Sequence, residues 1–334
     1  MNTLFLAGDV GATKTALAVY ASELGPNEPL ASSTVPTTEY LTFEALVGGF
    51  LTAVGYSVER AVFAVAGPVI DGRVTATISH LPWELDQKHL QQELELESLE
   101  LINDLEATAQ AIPHLTQADL HTLNAGHPEP HGALAVIAPG TGLGEAFLLW
   151  DGEQYQACVS EGAHANFAST TPFEADLLRH IQDISGYASY EMVCSGMGLP
   201  NIYACLKEHG YAEEPAWLAK QLATAKDPTP VIINTALNEN SPSRLCEATL
   251  QAFTAILGSE AGNLALKVMA TGGVYLGGGI PPRILPILRR EKDRFLTAFW
   301  NKGIMTEMVI NVPVHVITTH QVALLGAAYR MLAH

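Results

Sequence analysis

Positive charge is scarce in this chain. Seventeen lysines and arginines stand against thirty-five aspartates and glutamates in 334 residues, a formal net charge of -18. That balance argues against a nucleic-acid partner, whose affinity would come from a basic face on phosphates. It argues equally against adhesion to an anionic membrane surface. A small anionic ligand stays open, because backbone amides and a metal ion hold phosphate without global positive charge. The four cysteines, Cys158, Cys194, Cys205 and Cys246, are far apart and form no CxxC, so zinc-ribbon and thioredoxin readings fail and buried reduced thiols are expected. No apolar run reaches the roughly 18 residues of a membrane span. The opening MNTLFLAGDV has no basic stretch, and Asp9 interrupts its short apolar run, so no secretory leader is expected and the cytoplasm is the expected compartment. What the chain does have is apolar mass: 48% hydrophobic and 16% charged residues, enough for a sizeable core in two domains or one large one.

Strand, loop and helix signals alternate along the chain, which argues an α/β protein. Thr3 to Gly8 reads as a buried strand and Thr15 to Tyr20 as a second, joined as a hairpin by DVGATKT. Phe43 to Val54 has helical spacing; Ala61 to Ala66 and Arg73 to Ile78 read as strands around the turn GPVIDG. Glu97 to Asn103 reads as a strand running into a helix over about Asp104 to Ile112. A second α/β unit is expected from Gly132, with ALAVIA, the loop APGTGLG and EAFLLW. Pro172 to Leu266 reads as mostly helical, followed by the strand GVYL with its glycine loop, the strand Pro313 to Thr318 and a closing helix over Val322 to Leu332. DVGATKT and APGTGLG echo each other about 130 residues apart, which suits a duplicated fold.

Three glycine loops each follow an apolar strand. In Asp9-Val10-Gly11-Ala12-Thr13-Lys14, glycine admits backbone N–H groups close to a phosphate, and an aspartate at the strand end can hold Mg2+ through water. A turn of this composition can equally be a plain hairpin. The GxxxxGK[ST] spacing is absent, so it is not a Walker loop. Gly140-Thr141-Gly142 has the same capacity, and Gly277-Gly278-Gly279 can pack against a nucleotide. No loop is GxGxxG with a ribose-binding acid about 20 residues on, so a dinucleotide site is a poor reading.

Asp104 stands where a strand meets a helix. It reads either as part of a helix cap, with Asn103 and Glu106 resembling a capping box, or as a general base for a substrate hydroxyl attacking a phosphoryl group. Glu161 and His164 flank two small residues and, with Glu191, can hydrogen-bond the vicinal hydroxyls of a sugar; the alternative is a solvated Glu and a satisfied His. His114, His121, His127 and His131 share a stretch broken by Gly126, Pro128 and Pro130, which reads as an exposed loop rather than a metal site.

Taken in order, GDVGATKT, LINDLEATAQAIP, APGTGLG, EGAHANFA, GNLALK, GGVYLGGGIPPRI and ALLGAA resemble the bacterial hexokinase-type glucokinases, the ATP:D-glucose 6-phosphotransferase family, over nearly the whole chain. The resemblance implies an actin-like ATPase (ribonuclease H-like) fold, two α/β domains flanking a cleft: residues 1–106 plus 319–334, and residues 107–318. It implies Asp104 as the base for the sugar's 6-hydroxyl, with Asn103, Glu161, His164 and Glu191 on the other hydroxyls. Asp9, Gly11, Ala12, Thr13, Gly140, Thr141 and Gly142 would surround the ATP phosphates and Mg2+, and Gly278 and Gly279 would lie at the adenosine. Glucose and ATP are the implied partners, and a cytoplasmic homodimer the implied state.

The chain departs from the family pattern in three places. The usual Gly-Gly-Thr-Asn is Gly11-Ala12-Thr13-Lys14 here; alanine takes positive φ less freely than glycine, so this loop is expected to sit slightly differently. By the same resemblance Lys14 would add a cation near the phosphates, as a similar lysine does in the related ROK kinases. Thr-Asn before Leu-Pro-Trp becomes Ser79-His80, and the EGGH box becomes EGAH with Ala163; both changes fall on the sugar side of the implied site. The ROK cysteine cluster after a histidine is missing. Competing readings are a kinase for another hexose or amino sugar, a sugar-responsive regulator without catalysis, and an actin-like filament protein.

Overall fold

The first apolar run and the segment after it pair as expected. In the computed structural model, which describes residues 3–74, 83–238, 240 and 243–332, β1 (Leu4–Val10) and β2 (Lys14–Ala21) form an antiparallel hairpin with Val10 opposite Thr15. The sheet is extended by β3 (Ala31–Pro36) beyond β2 and, on the other side of β1, by parallel β4 (Arg60–Val65) and β5 (Ser98–Asn103). Of the strand expected over Arg73 to Ile78, Arg73–Val74 pairs with Val69–Ile70 and the rest lies outside the described residues, as do Ser79 and His80.

Alternation assigns the sheet's two faces. Leu6, Leu17, Val19, Phe63 and Val65 point to one layer, completed by the helix α1 (Phe43–Val54) through Phe43, Leu46, Val47 and Phe50 at i, i+3, i+4 and i+7. Thr42 caps that helix by accepting from the Ala45 N–H, and Gly55 ends it in the left-handed region. Phe5, Ala7, Ala16, Ala18, Val62 and Ala64 face the other layer, shared with α2 (Asp104–Ala111) and the C-terminal helix. Large apolar side chains of this kind, fully buried, each contribute about 1.5–3 kcal/mol.

The chain divides into two compact units. The first gathers the chain up to Ala118 with Glu153–Cys158 and the segment from Thr319 onward; the second comprises Asp119–Gly152 and Val159–Thr318. In the second, a sheet runs in the order β8–β7–β9–β10–β6, where β6 is Leu120–Asn124, β7 Leu134–Pro139, β8 Leu143–Trp150, β9 Gly273–Leu276 and β10 Val314–Ile317. Its first strand precedes Gly132, the expected start of this unit: β6 is an edge strand in which only Leu123 is fully buried, and it lacks an apolar run to announce it. The helices α3 (Pro172–Ser185), α4 (Gly198–Glu208), α5 (Arg244–Val268) and α6 (Lys292–Trp300) follow, and α5 is the buried spine on which α4 and α6 pack. The closing helix α7 (Val322–Leu332) belongs to the first unit, where Gly326 meets the backbone of Ala107 on α2. No helix among the described residues is long and apolar enough to cross a membrane.

Candidate active site

In the first unit the chemistry gathers at the carboxyl ends of β1 and β5. The turn Gly11–Thr13 closes with Gly11 N–H donating to the Lys14 carbonyl at 3.1 Å. Fully buried Thr37 holds this turn from behind: its hydroxyl donates to the Gly11 carbonyl at 2.8 Å, its N–H donates to the Thr13 carbonyl at 3.0 Å, and the Thr15 hydroxyl lies 2.9 Å from its oxygen. Because the Thr37 proton goes to Gly11, Thr15 is the donor in that last bond. No motif marks Thr37, so the sequence reading missed it. Ala12 is not in the left-handed region, so alanine in place of the family's glycine meets no backbone penalty; the expected displacement of the loop for that reason does not follow. The side chains of Thr13 and Lys14 are exposed.

Asp9 and Asp104 face each other electrostatically. Burial, and then the Asp104 charge, push the Asp9 carboxyl up to about 6. Burial lifts Asp104 as well. The capping duty falls on Asn103, whose Oδ1 accepts from the Leu105 N–H at 2.9 Å and the Glu106 N–H at 3.2 Å, while its Nδ2 donates to the Gly67 carbonyl at 3.0 Å. Asp104 is the first helical residue; the backbone N–H groups of Leu105 and of Asp104 itself act on its carboxyl and oppose the lift from burial. Asn103 keeps one amide hydrogen for a ligand.

In the second unit, Gly140-Thr141-Gly142 joins β7 to β8. The carbonyls of Gly140 and Thr141 accept from the N–H groups of Gly196 (2.8 Å) and Met197 (3.1 Å). Glu191 seals the turn, its Oε2 accepting from the Leu143 N–H at 3.0 Å. A methyl group at Gly142 would push that oxygen out of its place. The single turn Gly162–His164 lies alongside, pinned where Glu191 N–H donates to the Ala163 carbonyl at 2.9 Å and Tyr190 N–H to the Ala165 carbonyl at 3.1 Å. His164 thus sits between two carboxylates: Nε2 is 3.7 Å from Glu161 and Nδ1 is 4.0 Å from Glu191. The Glu161 side chain is 75% exposed and that of Glu191 21%, so one is open to solvent and the other is fixed. Ala163 is a core residue, 2% exposed. The third loop joins the second: Gly277 N–H donates to the Ile137 carbonyl at 2.9 Å, and Gly278 backs onto the Ala138–Pro139 backbone, with Gly279 leading into the short helix Ile280–Arg283.

The histidine-rich stretch disperses. His114 stacks on Tyr329, His131 lies against Trp150 and His121 beside Arg289. Among the described residues no three metal-ligating side chains converge. All four cysteines are free, and three are buried.

A family model described as Glucokinase matches residues 6–334. The chain belongs to the glucokinase family. A curated glucokinase from Nostoc punctiforme is 38% identical over 340 residues, covering 98% of each chain. The crystal structure of a glucokinase from an Antarctic psychrotroph is 31% identical, covers 100% of both chains and superposes with a TM-score of 0.82. A glucokinase from Balamuthia mandrillaris, solved in complex with glucose, shares the fold at 20% identity with a TM-score of 0.80, over 100% of this chain and 94% of that one. The fold is the actin-like ATPase fold of the sugar kinases, and this glucokinase-family chain is an enzyme of that class.

Proposed function

We propose that this chain transfers the γ-phosphoryl group of ATP to the 6-hydroxyl of glucose, giving glucose 6-phosphate and ADP. The observation that carries the reading is Asp104, a carboxylate where β5 meets α2 and beside Asp9, with Asn103 accepting from the Leu105 and Glu106 N–H groups. Phosphoryl transfer asks the protein for position and charge neutralisation more than for covalent help. Asp104 would accept the proton of the attacking hydroxyl, and a carboxyl raised by burial is a better base near neutrality than an ordinary aspartate.

Glu161, His164 and Glu191, with the spare amide hydrogen of Asn103, would hold the remaining hydroxyls. Each buried hydroxyl left unpaired costs about 1–3 kcal/mol, so a set of directional partners penalises an epimer that loses one. Gly11, Ala12, Thr13, Gly140, Thr141 and Gly142 would present backbone groups to the phosphates, with Lys14 adding a cation and Gly278 and Gly279 against the adenosine. Mg2+ fits the donor set: it keeps most of its waters and needs only one or two carboxylates besides phosphate oxygens. Asp9, pushed up to about 6 by burial and by Asp104, is a carboxylate that gains from a nearby cation, and it would hold the ion through water. When bound, Mg2+ neutralises charge on the transferred phosphoryl group. A cytoplasmic homodimer completes the reading, on family likeness.

The test is ADP release from MgATP with glucose, mannose, fructose, N-acetylglucosamine or no sugar. Glucose-dependent turnover is expected. Turnover with another hexose alone would move the substrate, and none with any sugar would overturn the kinase reading.

A further inference from the structure

Beneath the Glu161–His164 turn lies a carboxyl group that nothing above uses. Glu145, on β8, is 1% exposed, and neither of its oxygens meets a hydrogen-bond donor among the described residues. It faces Glu260 on α5, which is fully buried. Glu260 is well supplied: Oε1 accepts from Lys267 Nζ at 3.0 Å and Oε2 from Asn263 Nδ2 at 2.8 Å. Two bare carboxylates cannot face one another in a dry interior, and a single proton on one of them resolves the conflict by making it a donor.

We propose that Glu145 keeps its proton and donates it to the Glu260 carboxylate, and that Glu145 is thereby a positioning residue for the hexose, setting the Glu161–His164 turn from below. This rests on the reading that Glu161, His164 and Glu191 bind the sugar. The geometry ties the pair to both strands of that turn. Gly162 lies directly over Glu145, so close that any side chain there would collide with Glu145 Oε2. Its N–H is taken by Ser160 Oγ at 3.0 Å. On the other side, Asn263 also donates to the hydroxyl of Tyr190 at 2.9 Å, and Tyr190 and Glu191 are paired to Ala165 and Ala163. Glu260 therefore reaches the turn twice, through Glu145 under Gly162 and through Asn263 under Tyr190.

Loss of that proton puts two negative charges under Gly162. The charged and titratable groups around the pair are Lys267 and Glu260 from α5, the buried Cys194 thiol, Tyr190, and Lys302, which bonds Asn263 Oδ1 at 2.7 Å and the Ser259 carbonyl at 2.9 Å. Burial and Glu260 push Glu145 up to about 8, with Lys267 opposing, so the proton is present at neutrality and leaves on the alkaline side.

The experiment follows kcat and the KM values for glucose and ATP across pH for wild type and Glu145→Gln, with infrared spectra of both proteins. Glutamine keeps the size and the donor of the protonated acid. Between about pH 7 and about pH 9.5 the wild-type glucose KM should rise about tenfold with the ATP KM nearly unchanged, while Glu145→Gln stays within about threefold throughout. A protonated-carboxyl band should be present in the wild type near neutrality and absent from the variant. An equal KM rise in both proteins, or a band that the substitution leaves in place, overturns the proposal. Glu191→Gln separates the underlying reading: if it leaves the glucose KM unchanged while the band behaves as expected, the sugar assignment fails and the positioning role falls with it, but the acid pair stands.

Discussion

Asp104→Asn should cripple the enzyme and stabilise the protein. The substitution keeps the side chain's size, leaves the Asn103 cap intact and removes one of two half-buried like charges. Loss of a general base costs about 100- to 10,000-fold in kcat, or about 3–5 kcal/mol of transition-state stabilisation. The opposite sign for stability follows from Asp9. A carboxyl moved from 3.8 to about 6 costs the folded state about 3 kcal/mol once it is ionised. Burial is the larger cause and Asp104 the second, so removing Asp104 should return about 1 kcal/mol of that, with a further gain because the new amide carries no buried charge of its own. Both carboxyls are raised, so the folded state holds its protons more tightly than the unfolded chain. Stability is full below the unfolded value near 3.8 and is lost as pH rises through about 6. The variant's advantage should therefore appear in urea melts near neutrality without Mg2+ and vanish near pH 4 or below. Turnover is read by ADP release under saturating MgATP and glucose. A variant that keeps kcat within tenfold refutes the base. One that loses kcat and is also less stable at neutral pH refutes the electrostatic account, because the activity would then have been lost with the fold.

Gly142→Ala should raise the glucose KM about tenfold or more and cost about 1–3 kcal/mol of stability, because the methyl displaces Glu191 from its bond to Leu143; a KM within twofold of wild type would falsify that account. Thr37→Val keeps the shape but leaves the Gly11 carbonyl without its hydroxyl donor, so urea melts should show a loss of about 1–3 kcal/mol and nucleotide titrations a weaker ATP affinity. Mg2+ affinity should fall as pH drops through about 6, since Asp9 must release its proton to bind; calorimetry in two buffers of different ionisation heat should detect protons leaving on binding near that pH, and none if Asp9 is uninvolved.

What could be read from the residues depended on how local the cause was. Phe43–Val54 and Val322–Leu332 lie where their helical spacing put them, because an apolar stripe at i, i+3, i+4 and i+7 is a property of the segment itself. The glycine turns between apolar strands were legible for the same reason. The strands Ala31–Pro36, Leu120–Asn124 and Tyr155–Ser160 were not: they carry few buried side chains and no clean alternation. The capping box of Asn103 and Glu106 was legible as a cap, and the bonds from Leu105 and Glu106 to Asn103 show which side chain does most of it. Thr37 and Glu145 were invisible for a third reason. Their meaning lies in partners far away in the chain, the Gly11 carbonyl for one and Glu260 for the other, and a threonine before TEY or a glutamate in a strand looks ordinary alone.

The half-buried pair Asp9–Asp104 and the buried pair Glu145–Glu260 show one physical problem met in two ways. Asp9 and Asp104 lie in the first unit at strand ends beside an exposed turn; on the proposed reading a cation held by Asp9 would relieve the repulsion between them. Affinity for that cation would then depend on the very charges that destabilise the fold without it. Glu145 and Glu260 are buried in the second unit, and there, on the proposal above, the proton itself is the neutralising partner. The first pair should consequently respond to Mg2+ and hardly to a charge-preserving change elsewhere, whereas the second should respond to pH and not to Mg2+. Measuring the protonated-carboxyl band of Glu145 with and without Mg2+ separates the two: a band that shifts on adding the metal would mean that the pairs are coupled, and that burial alone does not decide how each is neutralised.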